Sequence, residues 1–200
     1  MDDTLKSLLV MARDTVTDPK EGARRVLSLP LPREALWQAL ALVVIISLLL
    51  THLTDRLMPS PTDPLMPAFR DMPLLTVAIL GGLTVLMVVA IDRVGRLMGG
   101  TGNFEGALRI TIWLQFVMLL VQAVQVFFMV VFPPIAVLLG PLAFGLSLWL
   151  LTNFIAVLHG FEKLLPVFLM ILVTALALGF ALFFILTLAG VHLPTELTNV

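Results

Sequence analysis

The chain has 200 residues, of which 60% are hydrophobic and 12% charged, and its formal net charge is −1. A soluble domain carries about 25% charged residues, so this composition indicates a helical bundle whose outer surface faces lipid. The near-neutral charge argues against a nucleic-acid partner, and the lack of cysteine excludes disulfides, Cys-ligated zinc and thiolate catalysis.

Residues 1–33 are predicted to form an amphipathic arm on the cytoplasmic side. Its first part has apolar residues at helical spacing: Leu5, Leu8, Leu9, Ala12 and Val16. Asp18-Pro19-Lys20-Glu21 is typical of a helix start and predicts a second short helix that carries Arg24 and Arg25. Two interpretations remain open: interfacial helices lying on anionic lipid, or helices packed on the cytoplasmic end of the bundle.

Five apolar stretches are long enough to cross a bilayer as helices, at about 35–53, 74–91, 110–132, 135–158 and 165–189. They define a transmembrane domain over 34–190, followed by an outer tail at 191–200. The proline-dense stretch after the first span predicts a loop outside the bilayer. Trp113 is predicted to lie at the membrane interface of the third span. The fold class is therefore all-α, a polytopic membrane protein with five transmembrane helices and a short amphipathic cytoplasmic N-terminal arm.

The first span is expected to act as an uncleaved signal-anchor. The short apolar run at 8–12 is followed by charged residues rather than by a small-residue cleavage site.

The main charged and glycine-rich interruption of the apolar sequence is residues 91–105. Asp92 and Arg96 stand four residues apart, which predicts an ion pair on a helix that continues beyond the bilayer. Gly99-Gly100-Thr101-Gly102 predicts the end of that helix, and Asn103 predicts the cap of the next one. A phosphate-binding G-x-G-x-x-G loop is excluded because Gly106 comes one residue late and no strand precedes the loop.

Lysine and arginine are unevenly divided between the two sides of this topology. Ten lie in the arm and the two loops on its side, whereas the opposite side has Arg56 and Arg70. The positive-inside rule therefore predicts a cytoplasmic N-terminus and a periplasmic or outer C-terminus.

Candidate chemistry within the predicted spans is sparse. No ionisable residue lies near the middle of a span, which argues against an ion-driven transporter. His52, His159 and His192 are divided across the membrane and are predicted to be surface or interfacial residues, so no metal site is expected. Since no catalytic motif is found either, we expect no catalytic residues and no cofactor.

The third span carries three glutamines close to one face, Gln115, Gln122 and Gln125. A side-chain amide in hydrocarbon needs a hydrogen-bond partner. One interpretation is interhelical bonds to polar residues of the neighbouring spans, namely Asn153, Thr152 and Thr174. The other is a small polar path lined by the three glutamines and Asn153.

Charged residues of the arm and of the loop between the second and third spans come together by topology. They form a candidate interaction face for a partner protein or anionic lipid headgroups: Arg24, Arg25, Asp92, Arg93, Arg96, Glu105 and Arg109. Charged loops that merely flank the spans are the alternative interpretation.

The order of these features resembles the Yip family of membrane proteins (the Ypt/Rab-interacting, Yip-one domain family) in its short bacterial form. The likeness covers about residues 15–190 and rests on Asp18-Pro19-Lys20-Glu21 with Arg24-Arg25, the five spans, the stretch 99–108 and the short loop before the fifth span. It implies an integral protein of the bacterial inner membrane. Eukaryotic members are associated with vesicle trafficking and Rab binding, but this chain contains no tyrosine and so lacks their tyrosine-containing motifs.

We therefore expect a non-enzymatic membrane protein that acts through protein or lipid contacts at its cytoplasmic face. Its expected partners are membrane lipid and either another protein or further copies of the chain itself. The alternative is a small transporter or channel subunit with a polar path along the third helix. That subunit would have to oligomerise, because the five spans show no internal duplication.

Overall fold

The computed structural model describes residues 2–57 and 73–188, and the regular elements within these ranges are all α-helices. They are α1 (Asp2–Thr17), α2 (Pro19–Ser28), α3 (Arg33–Leu57), α4 (Pro73–Leu97), α5 (Phe104–Val131), α6 (Pro133–His159) and α7 (Leu164–Leu188). Most of the predicted outer loop, with Arg70, and the whole predicted tail, with His192, lie outside the described residues.

Helices α3 to α7 each contain a segment long and apolar enough to cross a membrane. Many of their large apolar side chains point away from the bundle, as Leu49, Phe127 and Leu142 do. Such a surface is stable in hydrocarbon, where all backbone hydrogen bonds are satisfied within each helix. The predicted all-α architecture with five spanning helices and an N-terminal helical arm is confirmed.

The helix ends follow local signals in the sequence. Asp18 caps α2 and Asn103 caps α5, each side chain accepting a hydrogen bond from the backbone N–H three residues on, at 3.0 and 2.8 Å. Gly99 follows α4 at φ +86° and Gly160 follows α6 at φ +74°. Both conformations lie in the left-handed region that glycine adopts without strain, so they end the helices.

Helix α5 is the centre of the bundle and packs against α3, α4 and α6. Leu108 and Ile110 of this helix and Phe154 of α6 are buried in the same hydrophobic core. Helix α2 packs across α5 and α6, whereas α7 packs chiefly on α6 and only marginally on α4. We call the end of the bundle formed by α2, residues 91–109 and residues 158–163 the loop end.

Candidate interaction site

The loop end is organised around a buried histidine. His159 is the last residue of α6 and is only 2% exposed. Its Nδ1 accepts a hydrogen bond from the Gly102 N–H at 3.1 Å, and its Nε2 lies 3.1 Å from the carbonyl oxygen of Ile91. This pattern assigns the proton to Nε2, which donates to Ile91, and leaves the imidazole neutral. The prediction of a surface position for His159 was wrong, because the bundle folds three helix ends around the ring; its level at the membrane interface stays a prediction.

The glycines of residues 95–102 form the socket for this imidazole. A Cβ added at Gly95, Gly100 or Gly102 would stand 2.1, 2.5 and 2.5 Å from the nearest atom of His159. On its other side the ring stacks on Phe161 at a centroid distance of 5.6 Å. The glycine-rich loop therefore does more than end α4 and restart the chain at α5, because its backbone makes room for a side chain from α6.

The backbones of the two loops at this end are also joined. The Thr101 N–H donates a hydrogen bond to the carbonyl oxygen of His159 at 3.2 Å. The Phe161 N–H donates to the carbonyl oxygen of Ala156 at 2.8 Å. Main-chain bonds of this kind satisfy groups that a helix end leaves open. The loop end is consequently a rigid junction of α4, α5 and α6.

Asp92 forms the predicted ion pair with Arg96, but it does so from a buried position. Asp92 is 3% exposed, and its Oδ2 contacts the Arg96 guanidinium and lies 3.8 Å from Nε of Arg93. Its Oδ1 is buried without a hydrogen-bond partner among the described residues. Asp92 therefore acts inside the fold, where it orients the two arginines, and does not present a carboxylate at the surface.

Arg109 fastens the arm to the bundle. Its Nη1 donates to the carbonyl oxygens of Leu27 and Leu29, each at 2.9 Å, and its Nη2 reaches that of Leu31 at 3.4 Å. Glu105 accepts from the same Nη2 at 2.7 Å. A guanidinium is suited to this role because it offers several donors in a fixed plane. Arg109 thus caps the open carbonyls at the end of α2.

A second bond holds the arm through Trp113. Its Nε1 donates to Oγ1 of Thr15 at 3.0 Å, and the indole is 7% exposed. Thr15 is itself buried beneath Gly22, where an added Cβ would stand 2.6 Å from its Oγ1. The arm therefore covers Trp113 within the protein, and the position of this residue at the membrane interface stays a prediction. Of the two interpretations of the arm, packing on the bundle describes α2 and the second half of α1.

The remaining charged residues of the predicted face point outward. The side chains of Arg24 and Arg93 are 61% and 74% exposed, and Arg25, Arg96 and Glu105 are each about half exposed. Arg24 and Arg25 share Glu21 within α2, and Arg25 also lies 3.5 Å from Asp14 of α1. Exposed pairs such as these stabilise a fold by less than about 1 kcal/mol, so the guanidiniums stay available.

The three glutamines of α5 each bond to a different neighbouring helix. Gln115 donates to Thr84 of α4 at 3.1 Å, Gln122 to Thr51 of α3 at 3.2 Å, and Gln125 to a main-chain carbonyl of α6 at 3.2 Å. The predicted interpretation of interhelical bonds is confirmed, but the predicted partners were wrong. Asn153 instead donates within α6, to the carbonyl oxygen of Trp149 at 2.8 Å.

Metal-binding geometry is not found in the described part of the chain, where no group of three or more His, Asp or Glu side chains converges. A depression at the loop end lies between Leu27 of α2 and the start of α5, against Asn103, Glu105 and Arg109. Glu105 and Arg109 bond to one another there.

The chain matches the family model described as Yip1 domain over residues 13–186. The match begins in α1 and ends in α7, and it includes the whole loop end. No curated protein and no solved structure matches the chain.

Proposed function

The chain belongs to the Yip1 domain family, as the resemblance predicted, and on this premise we propose that it is a non-enzymatic membrane protein acting through contacts at its cytoplasmic face. The face consists of Arg24, Arg25, Arg93 and Arg96 at the loop end, with Glu105 beside them. It binds an acidic surface of a partner protein or the headgroups of anionic lipid. The membrane is the inner membrane of a bacterium.

The proposed orientation follows from the distribution of positive charge. Ten of the twelve lysines and arginines lie in the arm or in the loops on its side, which includes the whole loop end. Cationic residues near span ends are retained on the cytoplasmic side during insertion. The loop end therefore faces the cytoplasm in this proposal, and the C-terminus lies outside.

One observation carries the proposal: exposed arginines stand on a rigid platform that other residues hold in place. His159 and Arg109 fix the helix ends, whereas Arg24 on α2 and Arg93 on α4 take no part in those internal contacts. Arginine is enriched in interface hot spots, and a rigid platform lowers the entropy cost of binding.

The alternative of a small transporter or channel subunit draws less support. Its polar path depended on free amides along α5, but Gln115, Gln122 and Gln125 each donate to a neighbouring helix. Small residues and interhelical amide bonds are common means of helix association in membranes.

The test is affinity purification in mild detergent with crosslinking, comparing the native chain with the double variant Arg24→Glu/Arg93→Glu. The native chain is expected to bring down a stoichiometric partner protein or enriched anionic lipid, and the double variant to lose it. Arg96 is left unchanged because its reversal would strand the buried carboxylate of Asp92.

The matched control is Arg56→Glu, a charge reversal at the opposite end of α3. It is expected to leave capture unchanged, and all variants should unfold at the temperature of the native chain. Capture that survives the double reversal would contradict the proposal, as would a native eluate without either kind of partner.

A further inference from the structure

An apolar groove lies between α4, α6 and α7. The function proposed above does not involve it. The groove encloses about 120 Å³ and opens on one side. Its walls are apolar apart from one threonine, and they include Met87, Ile91 and Val94 of α4, Ile155 of α6, and Ile171 and Thr174 of α7. For comparison, an apolar cavity of ~150 Å³ in a protein core stays free of water and takes up a small hydrocarbon.

The groove exists because α7 leans on α6 and barely touches α4. Val167, Met170 and Ile171 of α7 are buried, and the last two also line the groove, while Leu172 and Leu176 are exposed. A gap is therefore left on the α4 side along more than a turn of both helices. Since lining atoms beside an empty gap lose dispersion contacts, an occupant of matching chemistry would stabilise this arrangement.

The surroundings of the groove determine the chemistry of that occupant. Its lining residues belong to membrane-spanning segments, and the groove is continuous with their lipid-facing surface. The molecules in contact with that surface are acyl chains. A flexible hydrocarbon chain is accordingly the occupant that fits this groove.

The chain presents a pair of opposite charges at the loop end, directly before α7, the helix that lines one wall of the groove. Lys163 immediately precedes α7, and Glu162 stands beside it; both are exposed, and no ion pair engages either of them among the described residues. An ammonium suits a phosphate, and a carboxylate suits a primary amine. The pair has no net charge, so it is complementary to a zwitterionic headgroup.

The length of a phospholipid agrees with these two contacts. Ile171 follows Lys163 by eight residues and Leu178 by fifteen. At about 1.5 Å per residue, the groove lies roughly 12 to 22 Å from the lysine along the helix. One leaflet with its headgroups is about 20 Å thick, so a lipid whose phosphate lies at Lys163 places its acyl chain in the groove.

We propose that the groove between α4, α6 and α7 binds a segment of one acyl chain of a zwitterionic aminophospholipid, whose phosphate contacts Lys163 and whose amine contacts Glu162. The lipid is a resident ligand that fills the space between α4 and α7. The inference rests on the proposed function only for naming the leaflet as cytoplasmic.

The test measures the phospholipid retained by the full chain after purification in mild detergent, by native mass spectrometry and by lipid extraction. The native chain is expected to retain about one phosphatidylethanolamine. Ala175→Phe and Ala90→Phe introduce a ring into the groove from α7 and from α4. Each should lower the amount of retained lipid about tenfold or more, because a ring that is poorly accommodated in a packed site weakens binding by at least that factor. Two variants on different helices are used so that one that misfolds does not decide the result.

The control is Ala177→Phe, an identical substitution on α7 at an exposed position outside the groove lining. It should retain the lipid. Lys163→Glu should lower retention several-fold, whereas the exchanged pair Glu162→Lys/Lys163→Glu should recover part of it, because both headgroup partners are again present.

If both phenylalanine variants retained as much phospholipid as the native chain, the inference would be overturned. A native chain that carries no phospholipid, or only an anionic one, would also overturn it. A crosslink from residue 90 to a second copy of the chain would overturn it by assigning the groove to an oligomer. Partner capture through Arg24 and Arg93 is measured on the same preparations. Because those residues do not line the groove, loss of lipid with retained capture, or the reverse, separates this inference from the proposed function.

Discussion

The Nδ1 atom of His159 accepts a hydrogen bond from the backbone N–H of Gly102 at 3.1 Å, although the two residues are 57 positions apart in the chain. The opposite ring nitrogen reaches the Ile91 carbonyl oxygen at 3.1 Å. One neutral imidazole thereby joins the ends of α4 and α6 to the loop that leads into α5. Buried bonds of this kind are costly to break, because each leaves a polar group unsatisfied.

Gly95→Ala is expected to destabilise the chain by about 1–3 kcal/mol, the usual cost of overpacking a buried contact. The new Cβ would stand 2.1 Å from Nε2 of His159, so the ring would have to move away from Ile91. The measurement is thermal unfolding in detergent, followed by circular dichroism. Gly145→Ala is the control, since nothing lies within 4 Å of its added Cβ, and equal stability of the two variants would contradict the socket.

The double variant Gly95→Ala/His159→Ala tests whether that cost arises from the imidazole. His159→Ala by itself is expected to be destabilising because it removes both ring hydrogen bonds. In this background the alanine at position 95 no longer meets a ring, so its additional cost should be smaller than in the native chain. Strict additivity of the two changes would show that the glycine serves another purpose.

Arg96→Gln should destabilise the chain by roughly 1–3 kcal/mol, because it removes the main partner of a buried carboxylate. Adding Asp92→Asn should restore much of the loss, since no buried charge then remains. Arg93→Gln is the control: its Nε is 3.8 Å from the same oxygen on an exposed side chain, so less than about 0.5 kcal/mol is expected. Chemical denaturation compares the variants, and equal losses for Arg93→Gln and Arg96→Gln would contradict the assignment.

Arg109→Lys is expected to loosen the arm while the bundle stays folded. A lysine ammonium cannot reproduce the planar set of bonds to Leu27, Leu29 and Leu31. Backbone hydrogen exchange in α2 should become about tenfold faster, which corresponds to ~1.4 kcal/mol, the order of one or two lost bonds. Exchange in the middle of α5 should not change. Arg33→Lys is the matched control, and protection of α2 that survives Arg109→Lys would rule out the proposed cap.

The glutamine bonds of α5 are expected to stabilise helix packing without forming a path. Replacing Gln122 by leucine and Thr51 by valine, singly and together, should give a coupling energy of about 0.6 kcal/mol. Gln38→Leu, an exposed substitution of the same kind, should have little effect. Proteoliposomes of the native chain should show no small-solute flux above the protein-free background. A flux that Gln122→Leu abolishes would instead support the transporter alternative.

The elements that the sequence predicted well depend on residues close together in the chain. The five apolar stretches have the length of a bilayer-spanning helix, the caps at Asp18 and Asn103 act on an N–H three residues away, and the Asp92–Arg96 pair spans one turn. Such contacts depend on residue type and spacing alone. These contacts could therefore be predicted from the sequence without knowing how the helices pack.

The candidate face was predicted only in outline, because burial depends on neighbours distant in the chain. His159 ends an apolar helix and precedes a charged loop, and an interfacial histidine would occupy the same place in the sequence. Gly95, Gly100 and Gly102 were the available signal, since closely spaced glycines permit a side chain to approach the backbone. The signal did not identify which side chain, because His159 is contributed by another helix.

The sequence by itself determined that this chain is a bundle of five membrane-grade helices with a helical arm, because apolar length and helix caps are local properties. Only the tertiary structure decided how the charged residues are divided. Asp92 and Arg109 are used within the fold, Asp92 in a buried pair with Arg96 and Arg109 on the carbonyls at the end of α2, whereas Arg24 and Arg93 remain exposed. Residues of equal charge thus differ in role because the packing of distant helices determines which of them retain access to solvent.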